Sequence, residues 1–531
     1  MPSPAPGAGW SPPIRILAPA DGQARVGTLS DGSVLAAADE PRSGPMRAAV
    51  RPPGGPFGDP VAISPPKRAG YGLYTGPGGR AGVMNERSDP FKGTVARGLA
   101  IRWPDGSFHN LDLPFEEGCC ISGPAFDAAG NLTLLGLGGE SGRVLDAYTY
   151  DPDGMLVSKR AVPSDTVIAA AIVVAPEGSA TVVWRQGRAG GEIRSATAPP
   201  GGSFGSPEKI ASGSYSSLVD IQLARDRRGD LLTAWDGGPK TSTAEWIPGP
   251  FGSIHVSFRP AGGAWGPPER VPNDPVTDID WQMELAMNDA GDALLAWAGD
   301  TETGIHLVMS YRPAGGRFEP ATLGPANTGT NPRTAVGEDG SAIVVNKASR
   351  NSTYSDLVLQ SFDHLAGGSF GPPLDIADVG DNVGIDVAVD RVGDAVAVWD
   401  RRGAAPIGMF SAVHHIDPSP EGGGLPSVSG FRVGPASGSR LRSASNKPGG
   451  FSYRLSRRAR VVIGIKRVRK HRPAVSIAKL RGALRGGPNS SPIPPDVVRR
   501  LKAGRYRATI VAISRSGRHS KRHVITFRVT R

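Results

Sequence analysis

The sequence predicts an all-β protein, and three observations carry this prediction. The chain of 531 residues contains 73 Gly and 50 Pro, about twice the share that these two residue types have in an average protein. Short apolar runs alternate with the turn-forming residues, and no apolar stretch reaches the length of a membrane-spanning helix. The absence of a Gly-X-Y period excludes a collagen-like chain, and 39% hydrophobic residues exclude wholesale disorder.

A repeat of about fifty residues organises the first four fifths of the chain. Its first motif is an acidic turn with Gly, followed by an apolar run that ends six residues after the Gly, in the best copies at a Trp. The best copies centre on Gly178, Gly229, Gly291 and Gly393, with Trp184, Trp235, Trp297 and Trp399. Weaker copies centre on Gly32, Gly79, Gly130 and Gly340. We expect the acidic residue to cap the turn by accepting backbone N–H groups, and the Trp to pack between repeats.

The second motif of each repeat is Gly-Gly-x-aromatic followed by proline, as in 262–268 and 315–320. Together the two motifs divide each repeat into four short strands joined by tight turns. Four strands in each period of 40–50 residues are typical of the blade of a β-propeller.

The two ends of the repeat region complement each other. The eighth repeat stops after 409–416 without its Gly-Gly-x-aromatic strand, and 7–16 at the N-terminus matches 262–271 almost position by position. We therefore predict an eight-bladed propeller over 1–418 that is closed by an N-terminal outer strand. A seven-bladed propeller is the second candidate, because the first two repeats are the weakest.

The repeat resembles the divergent propeller repeats of secreted actinobacterial proteins, which are grouped with the sialidase-like (BNR) superfamily. The resemblance covers 7–418 and implies the fold rather than an activity. The Asp-box of sialidases, Ser-x-Asp-x-Gly-x-x-Trp, and their Arg-Ile-Pro signature are both missing. We therefore predict no catalytic residue and a non-catalytic binding or scaffold function, with a glycan-active hydrolase or lyase as the alternative.

Candidate site residues come from the innermost strand of each repeat, which lines the channel of a propeller. The polar residues seven positions before a turn Gly, together with two neighbours, are Arg25, Asp220, Gln222, Gln282, Glu284, Arg333 and Asp386. They predict either a ligand site for a small or glycan-like molecule, or a solvated lining with ion pairs such as Arg333 with a nearby acid, and we favour the lining. Glu284 and Asp386 would be the carboxylate pair of a glycosidase.

The charge is divided unevenly along the chain. Residues 421–531 hold 27 Lys and Arg but only two acids, Glu421 and Asp496, a net +25, whereas the other 33 basic and 47 acidic residues give −14. Residues 419–426 are predicted to be a Pro/Gly linker, and alternating apolar residues predict a β-sandwich over 427–531. Its end, 501–529, resembles the final hairpin of an immunoglobulin-like domain, and 467–495 is expected to be a long loop or an irregular strand pair.

Three interpretations of the basic C-terminal region remain open: binding of nucleic acid, binding of anionic cell-envelope polymers, and a charged module with no such partner. Nucleic acid ranks below the envelope polymers, because the few aromatic residues fit core positions and so would not stack on bases.

Other motifs point away from metal and cofactor chemistry. Cys119 and Cys120 are adjacent, and two buried thiols are favoured over the alternative of a strained vicinal disulfide. No metal-binding His spacing or phosphate-binding loop is present, so we predict neither metal nor cofactor. Residues 1–7 lack the basic and apolar segments of a signal peptide although a strand begins at residue 7. We therefore expect an export signal upstream, a secreted or cell-surface location, no membrane span and a monomer that meets a glycan or a protein at the propeller face.

Overall fold

The computed structural model divides the chain into two compact units, 1–416 (unit 1) and 417–531 (unit 2). The structure describes residues 9–17, 23–40, 44–66, 69–89, 94–113, 122–138, 144–187, 191–212, 220–237, 253–272, 276, 278–279, 283–326, 332–351, 356–365, 368–380, 384–401, 407–416, 428–433, 440–442, 450–455, 459–469, 472–484, 487–493, 495–513 and 520–530. The predicted linker and the two cysteines lie outside these residues.

The strands of unit 1 are short, and strands that follow one another in the chain pair into antiparallel sheets. The first strand, β1 (Ile14–Leu17), belongs to sheet 8. Sheets 1 to 4 consist of β2 (Arg25–Thr28), β3 (Val34–Asp39), β4 (Met46–Arg51) and β5 (Val61–Ala62); β6 (Ala69–Thr75), β7 (Ala81–Asp89), β8 (Thr94–Arg102) and β9 (Phe108–Asp112); β10 (Ser122–Phe126), β11 (Leu132–Gly138), β12 (Val144–Tyr150) and β13 (Leu156–Ala161); and β14 (Val167–Val174), β15 (Ala180–Gln186), β16 (Glu192–Ala198) and β17 (Glu208–Ser212). A short 3-10 helix, Pro77–Gly79, joins β6 to β7.

Sheets 5 to 8 continue the same order along the chain. They consist of β18 (Ile221–Arg225), β19 (Leu231–Asp236), β20 (Ile254–Arg259) and β21 (Glu269–Arg270); β22 (Asp278–Ile279), β23 (Glu284–Met287), β24 (Ala293–Thr301), β25 (Gly304–Arg312) and β26 (Thr322–Ala326); β27 (Arg333–Val336), β28 (Ala342–Ser349), β29 (Leu357–His364) and β30 (Leu374–Val379); and β31 (Ile385–Val389), β32 (Asp394–Arg401) and β33 (Gly408–His415) with β1. In sheet 6, β22 and β23 pair with successive parts of β24, so the two together are counted as the first strand of this sheet and β24 as its second.

The first strands of the sheets of unit 1 lie next to one another in chain order. Contacts run from β2 through β6, β10, β14, β18, β23 and β27 to β31, and β31 contacts β2. Radial sheets whose inner strands are neighbours are the blades of a β-propeller, so unit 1 is a β-propeller. The inner strands line a central channel, and the sheet faces between them supply the core.

The N-terminal segment occupies the outer position of sheet 8. β1 pairs antiparallel with β33, and Trp10 forms a further bridge with His414. The buried Trp10 donates from Nε1 to Ser361 Oγ over 2.9 Å. In sheet 5, Trp265 makes the corresponding 2.8 Å bond to Ser195 Oγ of the preceding sheet. The sequence match between the two segments therefore corresponds to the same packing.

The repeated acidic turns confirm the capping prediction at Asp226 and Asp390 and differ from it at two positions, one of them Glu177, which accepts the hydroxyl of Ser179. Oδ1 of Asp226 accepts the N–H groups of residues 229 and 230, and Oδ1 of Asp390 accepts those of residues 392 and 394. In the third turn the cap is Asn288 rather than the expected Asp289, because the cap lies three residues before the Gly. Gly291 follows it with φ 93°, a left-handed conformation that explains the Gly.

The four repeated tryptophans pack between sheets, as predicted. Each is at most 2% exposed, and each lies on the second strand of its sheet, against residues of the preceding sheet. Trp235 of sheet 5, for example, packs with Val183 and Ile193 of sheet 4. Burying a ring of this size removes a large apolar surface from water, so these contacts are a main cause of cohesion between neighbouring sheets.

Unit 2 contains two sheets that share one core. The three-stranded sheet consists of β34 (Val428–Val433), β36 (Gly450–Leu455) and β39 (Gly487–Pro492), and the five-stranded sheet of β35 (Arg440–Arg442), β41 (His523–Thr530), β40 (Gly504–Ile513), β37 (Ala459–Arg469) and β38 (Arg472–Leu484). Phe451 of the first sheet contacts Phe527 of the second, and the short helix α1 (Pro495–Arg500) adds Val497 to the core. Within 467–495, expected as a long loop or an irregular strand pair, 467–469 and 472–484 belong to the β37–β38 pair, whose register shifts twice near the ends that face each other in the chain, and 487–492 form β39 of the other sheet.

None of the described helices is long and apolar enough to cross a membrane.

Candidate ligand site in the propeller channel

The first strands of sheets 5 to 8 and sheet 1 carry the predicted polar residues on one continuous part of the channel wall. Five of the residues lie on these strands and one just before β18, namely Gln222, Glu284, Arg333, Asp386, Arg25 and Asp220. The seventh, Gln282, lies outside the described residues. Because sheets 8 and 1 are neighbours, positions far apart in sequence lie on the same side of the channel.

An ion pair joins the first strands of sheets 6 and 7. Arg333 Nη1 lies 3.1 Å from Glu284 Oε2, with 23% and 33% of the respective side chains exposed. Arg333 Nε also donates to the backbone oxygen of Ile385 in sheet 8, over 3.3 Å. Arg333 therefore connects three sheets, and the predicted ion pair between it and a nearby acid is present.

Asp386 joins sheets 8 and 1. Its Oδ2 accepts the N–H of Val26 over 2.9 Å, and its Oδ1 accepts the N–H of Val387 over 2.9 Å. Burial lowers the pKa of the neighbouring Arg25, and the negative charge of Asp386 opposes this shift. Both carboxylate oxygens of Asp386 thus hold backbone, which assigns this side chain a structural role at the junction of the two sheets.

A second polar group lies on sheet 5. Gln222 Nε2 donates to both carboxylate oxygens of Asp220, at 3.2 and 3.1 Å, and Asp236 Oδ1 accepts the N–H of Asp220 over 2.9 Å. Burial raises the pKa of Asp236 to about 7, and the nearby charge of Asp220 adds to the effect. This carboxyl group is therefore partly protonated at neutral pH.

Glu284, on the polar wall, also has a raised pKa. Burial, against the opposing charge of Arg333, raises its pKa to about 7, with smaller contributions from the charges of Asp386 and Asp220 that raise the pKa and of Arg25 that lowers it. A third of the side chain is accessible to solvent, and the surrounding protein stabilises the ionised form less than bulk water does. Glu284 can therefore accept or donate a proton near neutral pH.

A cavity lies beside this polar wall. It measures about 900 Å³, is lined by the first strands of sheets 2 to 6, and combines apolar side chains such as Leu73 and Ile168 with the polar Asp220, Gln222 and Glu284. The register position held by Arg25 and Glu284 in their sheets is Gly123 in sheet 3 and Ala171 in sheet 4, and both line the cavity. These small side chains leave space that the larger ones fill elsewhere.

Sequence reasoning missed two residues of the wall. The first is Asp236, which directly follows Trp235. Asp39 and Asp400 occupy the same position of the repeat in sheets 1 and 8, where they accept the backbone N–H groups of residues 70 and 384. Aligning the repeats one position beyond the Trp would have shown this acid. No comparable signal marks Tyr74 on β6, whose pKa burial raises.

Within the part of the chain that the structure describes, no group of three or more His, Cys, Asp or Glu side chains could hold a metal ion.

Comparisons with known proteins give fold-level likeness alone. No family model and no curated protein matches the chain. Among solved structures, the β-propeller domain of the Trilobed protease from Pyrococcus furiosus is 9% identical, with a TM-score of 0.39 over 66% of this chain and 95% of its own. The polysaccharide lyase PL25 ulvan lyase is 10% identical, with a TM-score of 0.40 over 63% of this chain and 89% of its own. A variant of AofleA from Arthrobotrys oligospora is 13% identical, with a TM-score of 0.35 over 59% of this chain and 90% of its own.

Proposed function

We propose that unit 1 is an eight-bladed propeller that binds a small oligosaccharide in its channel without altering it. The observation that carries the proposal is the Glu284–Arg333 ion pair beside a cavity of about 900 Å³ that is lined by apolar side chains together with Asp220, Gln222 and Glu284. The proposal includes closure of the ring by the N-terminal strand, for which the pairing of β1 with β33 and the bond of Trp10 to Ser361 are the support.

The chemistry of the wall suits a polyhydroxylated ligand. A sugar hydroxyl both donates and accepts hydrogen bonds, so neighbouring carboxylates and guanidinium groups satisfy both functions. The C–H faces of the same ring pack on apolar side chains such as Leu73 and Ile168, which line the same cavity as Glu284. A predominantly apolar pocket with a few converging polar groups is the usual form of a small-molecule site.

Binding without catalysis is favoured by the state of the second carboxylate. A glycosidase needs two carboxyl groups free to act on the substrate. Glu284, with its raised pKa, suits a general acid. Asp386 suits the second role less well, because each of its oxygens already accepts a backbone N–H group and the side chain is thereby held against the backbone. Binding is therefore favoured over the glycan-active alternative.

For unit 2 we propose an immunoglobulin-like module that holds the protein on anionic polymers of the cell envelope, outside the cell. The hydroxyl of Tyr506 donates to the backbone oxygen of Lys502 over 2.7 Å at the start of β40. A Tyr that bonds back to the chain a few residues upstream, near the start of a late strand, is typical of immunoglobulin-like sandwiches. The net charge of +25 over 421–531 supports the polyanionic partner.

A glycan array probed with the full chain tests the channel proposal. We expect wild-type protein to bind a defined set of oligosaccharides and Glu284→Gln to lose at least tenfold in affinity for them, because the neutral amide no longer anchors Arg333 and presents a donor in place of a carboxylate oxygen. Since a buried hydrogen bond to a charged group contributes about 1.5–3 kcal/mol, a tenfold loss, about 1.4 kcal/mol, is the lower end of the expectation.

Glu269→Gln is the matched control. Glu269 forms a pair with Arg317 at 3.5 Å on the outside of the propeller, where their side chains are 45% and 84% exposed. The control should bind as wild type does. Equal binding by Glu284→Gln and wild type would contradict the channel site. Cleavage of the bound glycans by wild type but not by Glu284→Gln would show that the protein is a glycan-active enzyme and would overturn the proposal of binding without catalysis.

A further inference from the structure

The five-stranded sheet of unit 2 has one face in the core and one face exposed. Along β40, Tyr506 and Ile510 are buried in the core, whereas Arg505 and Arg507, on either side of Tyr506, are exposed. On the neighbouring strand β41, Phe527 is buried and the next residue, Arg528, is exposed. The alternation therefore places arginines on the outer face of the sheet.

Cross-strand register brings these charges together. Arg505 lies directly opposite Arg528, and Arg507 lies directly opposite Lys466 of β37. One row further, Lys479 of β38 is exposed opposite Gly464. Neighbouring strands are about 4.8 Å apart and alternate residues along a strand about 6.7 Å apart, so the basic groups form a patch with close, regular spacing.

This arrangement has an electrostatic cost that the sheet itself does not offset. Like charges directly opposite each other destabilise a strand pair. The strands β37, β38, β40 and β41 contain no Asp or Glu that could lie between the charges. An anionic partner lying along the face would convert this repulsion into attraction.

We propose that the outer face formed by Lys466, Lys479, Arg505, Arg507 and Arg528 binds a flexible, linear phosphate polymer. The inference rests on the polyanion association proposed for unit 2 and assigns it to a surface. Guanidinium groups match phosphate oxygens with paired hydrogen bonds, which explains the Arg content of the patch. A polymer with repeated charges can follow successive rows of the sheet.

A nucleic acid fits the face less well, because the face offers no rings for bases to stack on. The aromatic side chains of the sheet, Tyr506 and Phe527, are at most 2% exposed in the core. Between the basic residues the outer face presents Thr509, Val524 and Thr526. Stacking contributes about 1–3 kcal/mol per base in proteins that bind single strands, and here only backbone phosphates would be engaged.

The test is the binding of fluorescently labelled inorganic polyphosphate to the full chain, followed by anisotropy over a range of salt concentrations. The double variant Arg505→Gln/Arg507→Gln should bind roughly tenfold more weakly, and the slope of log affinity against log salt should fall by about 2. The control Arg499→Gln/Lys521→Gln removes two other exposed charges of unit 2 and should lower affinity much less.

The outcomes distinguish binding at this face from the association of unit 2 with polyanions in general. Equal weakening by the two double variants would overturn the assignment of binding to this face, since only net charge would then matter. No binding of polyphosphate by wild type would overturn the association itself, and neither result bears on the glycan site in unit 1. Tighter binding of single-stranded DNA of the same charge than of polyphosphate would overturn the choice of partner. Amide exchange in β40 checks that the variants retain the sheet.

Discussion

Arg51 of unit 1 is buried between two carboxylates, whereas Arg507 of unit 2 is exposed directly opposite another cation. Arg51, with 4% of its side chain exposed, lies 2.7 Å from Asp390 and 3.2 Å from Asp394. Arg507 faces Lys466 across the β37–β40 pair. The same residue type therefore supports the fold in one place and weakens it in the other.

The comparison distinguishes charges that stabilise the fold from charges that would be stabilised by a bound anionic partner. Arg51 lies on β4 of sheet 1, and its carboxylates lie before and at the start of β32 in sheet 8, so the ion pairs join sheet 1 to sheet 8. Arg507 is placed where it can contribute only when something anionic covers it. Removing charge should therefore have opposite effects on stability in the two units.

The largest effect is expected from Arg51→Met. The substitution keeps most of the apolar volume of the side chain but leaves Asp390, whose side chain is fully buried, without its cation. Breaking a buried pair in this way costs about 3–5 kcal/mol. All nine Trp precede residue 417, so denaturant unfolding of the full chain followed by tryptophan fluorescence reports on unit 1.

Arg47→Met on the same strand is the control. Arg47 pairs with Glu40, but 36% of its side chain is exposed, and exposed pairs contribute about 0–1 kcal/mol. A loss for Arg51→Met no larger than that of the control would show that the pair does not hold the first and last sheets together, and it would count against the proposed ring closure.

A smaller effect is expected from the pH dependence of Glu284. Its pKa of about 7 in the folded protein lies above the ordinary value of 4.5. Between these values the folded state binds more protons than the unfolded state, so the free energy of unfolding falls as pH rises through this window. Asp236, with a pKa raised to about 7 from 3.8, acts in the same direction.

Glu284→Gln should lose less stability than wild type between pH of about 5 and about 8, measured by urea unfolding with tryptophan fluorescence. The slope is reduced rather than abolished, because Asp236 remains. Glu269→Gln, which removes an exposed carboxylate, should keep the wild-type profile. Parallel profiles for wild type and Glu284→Gln would contradict the raised pKa.

The local chemistry of the turns could be predicted from sequence because it repeats. Asp226 and Asp390 cap turns at a fixed distance before Gly, and the same spacing identifies Asn288 once the Gly, rather than the acid, is aligned. The packing of Trp235 also followed from its repetition on an apolar strand. Local backbone conformation determines both features, so neighbouring residues suffice to predict them.

The site itself depends on contacts that sequence does not contain. Glu284 and Arg333 are 49 positions apart, and only the curvature of the ring brings them to 3.1 Å. The pairing of Glu284 with Asp386 in glycoside chemistry stays a prediction, and the backbone N–H groups of residues 26 and 387 that Asp386 accepts become visible only when the sheets meet. The apolar cavity needs Gly123 and Ala171 on adjacent strands, and small residues carry no signal by themselves.

The smallest effect is expected in unit 2, with the opposite sign to that of Arg51. Arg507→Gln and Lys466→Gln should each stabilise the five-stranded sheet by roughly 0.2–1 kcal/mol, because each removes the same repulsion across a directly opposite pair. The double variant should gain less than the two single gains together, since the repulsion can be removed only once.

Hydrogen exchange of the amides of Ile463 and Ile510, which lie opposite each other inside the sheet, measures these differences in unit 2 alone. The gains should be clear at about 0.01 M ionic strength, where the Debye length is about 30 Å, and should largely vanish near 1 M, where it is about 3 Å. Loss of stability in both single variants at low salt would mean that the two cations support the sheet, and the contrast with Arg51 would then fail.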